Sequence, residues 1–174
     1  LAQRLREAHG VAPPERIGAA RGRSLDLIWF APQQWLAVSA DAGAASALKT
    51  TLDGLAAVTD QSDGRGLLRV SGRRVRDGLA KGFPIDLHDS VFPVGAAAAT
   101  VVSYINVHIW RVADDSADAS FVIAVPRSFC ASFRDWLKAS AAEHGCEDRW
   151  QAIEPHLAGA SGRALDIGCN LGYI

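Results

Sequence analysis

The chain has 174 residues, 49% of them apolar and 21% charged, with a formal net charge of −1. That length and balance suit one globular domain with enough core to be stable on its own. Near-neutral charge and scattered basic residues give no electrostatic basis for binding nucleic acid or acidic membranes. No apolar run approaches the roughly 20 residues that a membrane-spanning helix needs.

The densest basic groups, Arg21/Arg23 and Arg73/Arg74/Arg76, read as solvated faces beside ordered structure rather than phosphate sites. Val94–Tyr104 and Phe121–Val125 are the longest apolar stretches, and both are strand-sized. The N-terminus lacks the hydrophobic region of a signal peptide. Three cysteines, Cys130, Cys146 and Cys169, are odd in number and far apart, which points to a reducing cytoplasm. The sequence has no methionine and stops just after a motif that opens larger folds, so a fragment at one or both ends is expected.

Leu1–Arg23 is rich in Ala, Arg, Gly and Pro. Pro13 and Pro14 break any helix begun at Leu1, because neither can donate a backbone bond. The expectation is a frayed helix and then a linker or docking arm, disordered in the free chain. Leu25–Phe30 alternates, with Leu25, Leu27 and Trp29 on one face and Asp26, Ile28 and Phe30 on the other. Trp35–Ala40 follows a short Pro32-containing loop, so the two strands make a hairpin whose Trp29, Phe30 and Trp35 are core aromatics. Ala44, Leu48, Leu52 and Leu55 recur at helical spacing and predict a helix over Ala44–Leu55, capped by Asp41 and weakened by Gly54.

Val58–Ser62 reads as extended, Asp63-Gly64 as a turn and Leu67–Val70 as a strand. Ser71 is expected to cap a short helix, Arg73–Lys81, whose Val75 and Leu79 face the core and which Gly82 stops. Gly78 within that helix costs about 1 kcal/mol relative to alanine, which suggests close packing against a neighbour. Phe83–Leu87 is extended around Pro84. Ala97–Tyr104 and Val107–Val112 predict a hairpin across Ile105-Asn106, and Ser120–Val125 a further strand. Phe129, Phe133, Trp136 and Leu137 predict a helix over Arg127–His144, ended by Gly145. The order implies an α+β fold with a mostly antiparallel sheet and packed helices.

Four stretches, in this order, resemble the gamma subunit of heterotetrameric sarcosine oxidase across about residues 24–144. They are Ile28–Leu36; Val58–Gly64 running into Leu67–Gly72; Ala80–His88 followed by Val91–Gly95; and Val125–Phe129 with Trp136-Leu137. The unit from Val70-Ser71-Gly72 to Leu79-Ala80-Lys81-Gly82 is also similar to the folate-dependent aminomethyltransferases, to whose folate-binding fold the gamma subunit looks related. Two positions depart: Arg73 stands where the family commonly has proline, and Phe83 where cysteine is common.

The resemblance implies a partner subunit without an active site of its own. In the assembled enzyme sarcosine is oxidatively demethylated to glycine, oxygen becomes hydrogen peroxide and the one-carbon unit passes to tetrahydrofolate. FAD, FMN, NAD and tetrahydrofolate then belong to the other subunits. The alpha subunit is the implied direct partner, with beta and delta completing the complex. The docking face is not readable, although Trp29, Trp35 and Trp110 are candidate anchors.

The residues themselves give no independent catalytic or metal site. Among His9, His88, His108, His144 and His156, none has a second histidine at helical i, i+4 spacing, and His144 with Cys146 makes a poor chelate across Gly145. Ser71 and Ser128 read as helix-start residues. Cys130 lacks a basic neighbour that would lower its pKa. Asp60 and Asp63 form no convincing carboxylate pair, since Asp63-Gly64 is ordinary turn chemistry.

The tail is different. Arg149–Leu157 reads as a helix, and Arg163–Tyr173 resembles the first motif of a class I S-adenosylmethionine-dependent methyltransferase. That resemblance puts Asp166, Gly168 and Gly172 in a cofactor-binding loop after a buried strand, Ala164–Ile167. With only Tyr173 and Ile174 remaining, no complete pocket can follow, and Leu165, Ile167 and Leu171 are expected to lack a sheet partner. The expected organisation is an arm (1–23), a gamma-like domain (24–145) and a truncated tail (146–174). The competing functions are a truncated methyltransferase fusion and a free-standing folate-binding protein.

Overall fold

A computed structural model describes residues 1–113, 119–142 and 163–168. In chain order the elements are α1 (Ala2–His9), β1 (Ala19–Arg21), β2 (Asp26–Ala31), β3 (Gln34–Ser39), α2 (Ala44–Thr51), β4 (Ala57–Asp60) and β5 (Arg65–Ser71). Then come α3 (Val75–Ala80), β6 (Ala97–Val102), β7 (Ile105–Val112), β8 (Ser120–Pro126), α4 (Cys130–Ala142) and β9 (Arg163–Gly168). Every strand pair is antiparallel, so the expected α+β class holds. The chain divides at Asp63/Gly64 into two compact units rather than one domain, and β9 belongs to the first.

The first unit is built on a sheet in the order β1-β2-β3-β9-β4. Its core joins Leu5 and Val11 to Leu25, Leu27, Leu48 and Leu52. Residues 1–23 are therefore structural, not a linker or arm. Gly10 ends α1 in the left-handed conformation that glycine adopts without a Cβ penalty, at φ 70°. Pro13 and Pro14 fall after the helix has already stopped, so they shape the return to β1 instead of breaking the fold.

β2 and β3 form the predicted hairpin, with Trp29 opposite Trp35 and Ile28 opposite Leu36. Pro32 and Gln33 make the turn, with Gln33 at φ 59°. Asp41 accepts from the Gly43 amide at 2.8 Å in a turn just ahead of α2; the N-cap residue is Gly43 and no side chain caps the helix, so the expected Asp41 cap is not made. The helix ends three to four residues early: Leu52 is buried, but Leu55 is 43% exposed.

Arg163–Gly168 does not lack a sheet partner. β9 lies between β3 and β4, with Asp166 opposite both Leu36 and Thr59. Gly145, Arg149–Leu157 and Leu171 lie outside the described residues.

In the second unit the sheet order is β5-β8-β7-β6. One face packs against α3, α4 and the segment between α3 and β6, burying Leu79, Phe83, Phe92, Phe121, Phe133 and Leu137 together. Phe83 meets Phe133 edge-on at 6.4 Å, a favoured aromatic geometry. Buried Phe133, Leu137, Ser140 and Ala141 trace the core face of α4.

Several local expectations fail here. Ser71 ends β5 opposite Ser120 and caps nothing; Gly72, at φ 137°, makes the break before α3. A Cβ on Gly78 would meet open space, so close packing does not explain that glycine. Close packing is found at Gly82 instead, where a Cβ would run into the Trp136 ring. The β6–β7 turn is Ser103-Tyr104, not Ile105-Asn106, because Ile105 is buried and pairs with Val102. Phe129 sits in a 3-10 turn before α4 and is 47% exposed, off the helix's core face.

Candidate partner-binding surface

The residues weighed for chemistry are dispersed. No cluster among the described residues could hold a metal ion. His9 Nδ1 lies 2.8 Å from Ser24 Oγ, and burial with the nearby Arg23 charge lowers its pKa. His88 Nδ1 lies 2.8 Å from Ser90 Oγ, while His108 stands on β7 opposite Ala99. His144, His156, Cys146 and Cys169 lie outside the described residues.

Burial raises the Cys130 thiol pKa, which opposes the thiolate a nucleophile needs; the Gly66 amide and Arg127 offset this in part. Ser128 provides no side-chain cap to its 3-10 turn. Asp60 accepts from the Ser62 amide at 2.9 Å, a turn contact.

Asp166 and Gly168 stand in β9, paired on both sides, rather than in a loop. Their backbone is committed to two antiparallel neighbours, whereas nucleotide-binding motifs of this kind leave a parallel strand into a free turn. Gly172 lies outside the described residues.

The three candidate tryptophan anchors are not free. Trp110 is 2% exposed. Trp29 and Trp35 are half-buried, and Trp35 Nε1 donates to the Pro14 carbonyl at 2.8 Å.

A more organised surface lies between α3 and β7. Asp89 accepts from Arg76 Nη2 and pairs with Arg111 Nη1. Arg76 Nε also donates to the Leu87 carbonyl at 2.8 Å, and Arg111 Nη1 to the Phe92 carbonyl at 3.1 Å. The Arg76 guanidinium lies 5.9 Å from the centre of the Phe121 ring. Phe92 fills the core, while its neighbours Val91 and Val94 are 58% and 56% exposed.

This loop leads into β6 and the hairpin tip, where Val101 is 46% and Tyr104 98% exposed. Such largely apolar side chains on charge-anchored loops and a hairpin can grip another protein. Sequence reading missed the clamp because Arg76, Asp89 and Arg111 belong to α3, a loop and β7, and only the fold brings them together.

The profile of the "Sarcosine oxidase, gamma subunit family" matches residues 2–143, so the shared fold includes the N-terminal residues. The chain is 29% identical over 147 residues to the sarcosine oxidase subunit gamma of Corynebacterium sp. (strain P-1), covering 82% of this chain and 70% of that one. To the subunit gamma of Arthrobacter sp. it is 33% identical over 116 residues, covering 64% and 57%. The chain thus spans between 57% and 70% of the length of these two relatives. A chain of the heterotetrameric sarcosine oxidase from Corynebacterium sp. U-96, solved in complex with pyrrole 2-carboxylate, matches with a TM-score of 0.71 at 27% identity. That match covers 82% of this chain and 73% of the other. The chain belongs to the sarcosine oxidase gamma subunit family.

Proposed function

We propose that this chain is the gamma subunit of a heterotetrameric sarcosine oxidase, binding the alpha subunit directly in a complex completed by beta and delta. The observation that carries the reading is the match of 82% of the chain, in fold and sequence, to a chain of a heterotetrameric sarcosine oxidase. On this reading the chain contributes no catalytic residue and no cofactor. FAD, FMN, NAD and tetrahydrofolate are held by the other subunits, and the complex works in the cytoplasm. No helix among the described residues is long and apolar enough to cross a membrane, which fits that setting. The assembled enzyme demethylates sarcosine to glycine, with release of peroxide and transfer of the one-carbon unit to tetrahydrofolate.

Peroxide release from sarcosine is the test. Reconstituting alpha, beta and delta with and without this chain should give a stable active enzyme only when it is present. Equal activity and stability without it would reject the role. Titration of the isolated chain with S-adenosylmethionine and with tetrahydrofolate separates the competing functions. Neither ligand should bind; micromolar affinity for the first would support a methyltransferase, and for the second a free-standing folate-binding protein. The antiparallel pairing of β9 on both sides already disfavours the methyltransferase.

A further inference from the structure

The two sheets have four edges among the described residues, and three are protected in ways that discourage strand addition. β1 is three residues long and ends in Arg21; β4 is four residues long and ends in Asp60. β5 carries Arg65 and an exposed Arg69. Short length and charge are the usual means of blunting an edge.

β6 has neither. Its six residues, Ala97–Val102, contain no charge, no proline and a single polar side chain, Thr100. The strand pairs with β7 in unbroken register and, among the described residues, has no strand on its other side. Arg111 N donates to the Ala96 carbonyl, which fixes the phase of the ladder. By the alternation of antiparallel pairing, the amides and carbonyls of Ala97, Ala99 and Val101 point away from β7.

The end of this edge is built at a cost. Ser103 and Tyr104 both have positive φ, 47° and 66°, in a turn where Asn-Gly is the favoured pair. A bulky residue there is destabilising in the free chain, and it holds Tyr104 almost fully in solvent. Val101, on the same strand, is exposed as well.

We propose that another subunit of the oxidase adds an extended apolar strand to the free edge of β6, with Tyr104 closing over its end. This rests on the subunit role proposed above and names the surface that serves it. Exposed Ala99 presents only a methyl group, which leaves room for a larger side chain on the incoming strand; Ala97, 8% exposed, is already covered. A second copy of this chain would bring the same small residues and bury little apolar area. A β-branched or aromatic strand buries more, and the solved relative is a complex of four chains.

Hydrogen–deuterium exchange on the assembled oxidase tests this. The amides of exposed Ala99 and Val101 should exchange much more slowly in the complex than in the isolated chain. The paired amides of Ala98 and Thr100 should change far less. Unchanged exchange at these two outward amides within a complex that does form would overturn the docking edge while leaving the subunit role intact. Failure of any complex to form would overturn both. Protection that rises with the concentration of the isolated chain would put a second copy on the edge and overturn the proposal.

Ala99→Pro is the companion variant. It removes an outward donor without removing a bond to β7, and edge strands tolerate such a proline. Assembly should weaken by about tenfold or more with the circular dichroism spectrum retained; unaltered assembly would count against β6.

Discussion

The indole of Trp35 donates to the carbonyl of Pro14 at 2.8 Å, which ties β3 to the connection between α1 and β1. The residue is half-buried against the same cluster that holds Leu5 and Val11. Trp35→Phe keeps most of the apolar contact and deletes the donor. It should lower stability by about 1 kcal/mol, read as a lower urea midpoint at unchanged slope. No shift in the midpoint would show that the N-terminal segment is only loosely held.

Gly78 and Gly82 flank the same helix end and should respond in opposite directions to alanine. At Gly78 the new methyl meets open space in a helical backbone, so Gly78→Ala should stabilise by about 0.5–1 kcal/mol. At Gly82 it meets the Trp136 ring, so Gly82→Ala should destabilise by about 1–3 kcal/mol as the indole is displaced. Paired thermal melts check both, and a shift of the same sign in the two variants would contradict this packing.

His9 makes stability depend on pH. Burial and Arg23 lower its folded pKa below the ordinary value of 6.5, so the unfolded chain binds the proton more readily. Stability should therefore fall as pH drops below 6.5 and level off once the folded-state pKa is passed. His9→Gln should flatten that part of the profile. Asp26 has the opposite sign at lower pH: burial raises its pKa, with the Gly22 amide and Arg21 offsetting it in part, and its protonation then favours the fold. Chemical denaturation of both proteins between pH 7 and 5 decides the His9 term, and parallel profiles would refute it.

Asp89 anchors the loop that presents Val91 and Val94. Asp89→Ala leaves Arg111, whose side chain is only 15% exposed, without its carboxylate partner. Because Asp89 itself is 59% exposed, the expected loss is modest, about 1–2 kcal/mol. Faster exchange of the Phe92 and Gly95 amides should accompany it. A variant with wild-type stability and exchange would show that the ion pairs do not hold the loop.

Strong periodicity was legible in advance. The β2–β3 hairpin, α2 and α4 stand close to where the spacing of their apolar residues put them, because burial of one face governs each. The helix at the N-terminus is legible but its packing into the core is not, because its signal is thin: Leu5 is the helix's one buried residue, and the Pro13-Pro14 pair reads as a linker. The Ser103-Tyr104 turn was hidden because neither residue advertises positive φ, and tertiary burial of Ile105 overrode local preference. Long-range pairing set the remainder. Nothing near Leu165 in sequence says that β9 will lie between β3 and β4, or that Asp89 will face Arg111.

Sedimentation of a tagged chain co-expressed with alpha, beta and delta subunits tests the central claim most directly. A single boundary containing all four chains in equal amounts is the predicted result. A tagged chain that sediments alone, while the other three assemble and oxidise sarcosine without it, would contradict the account.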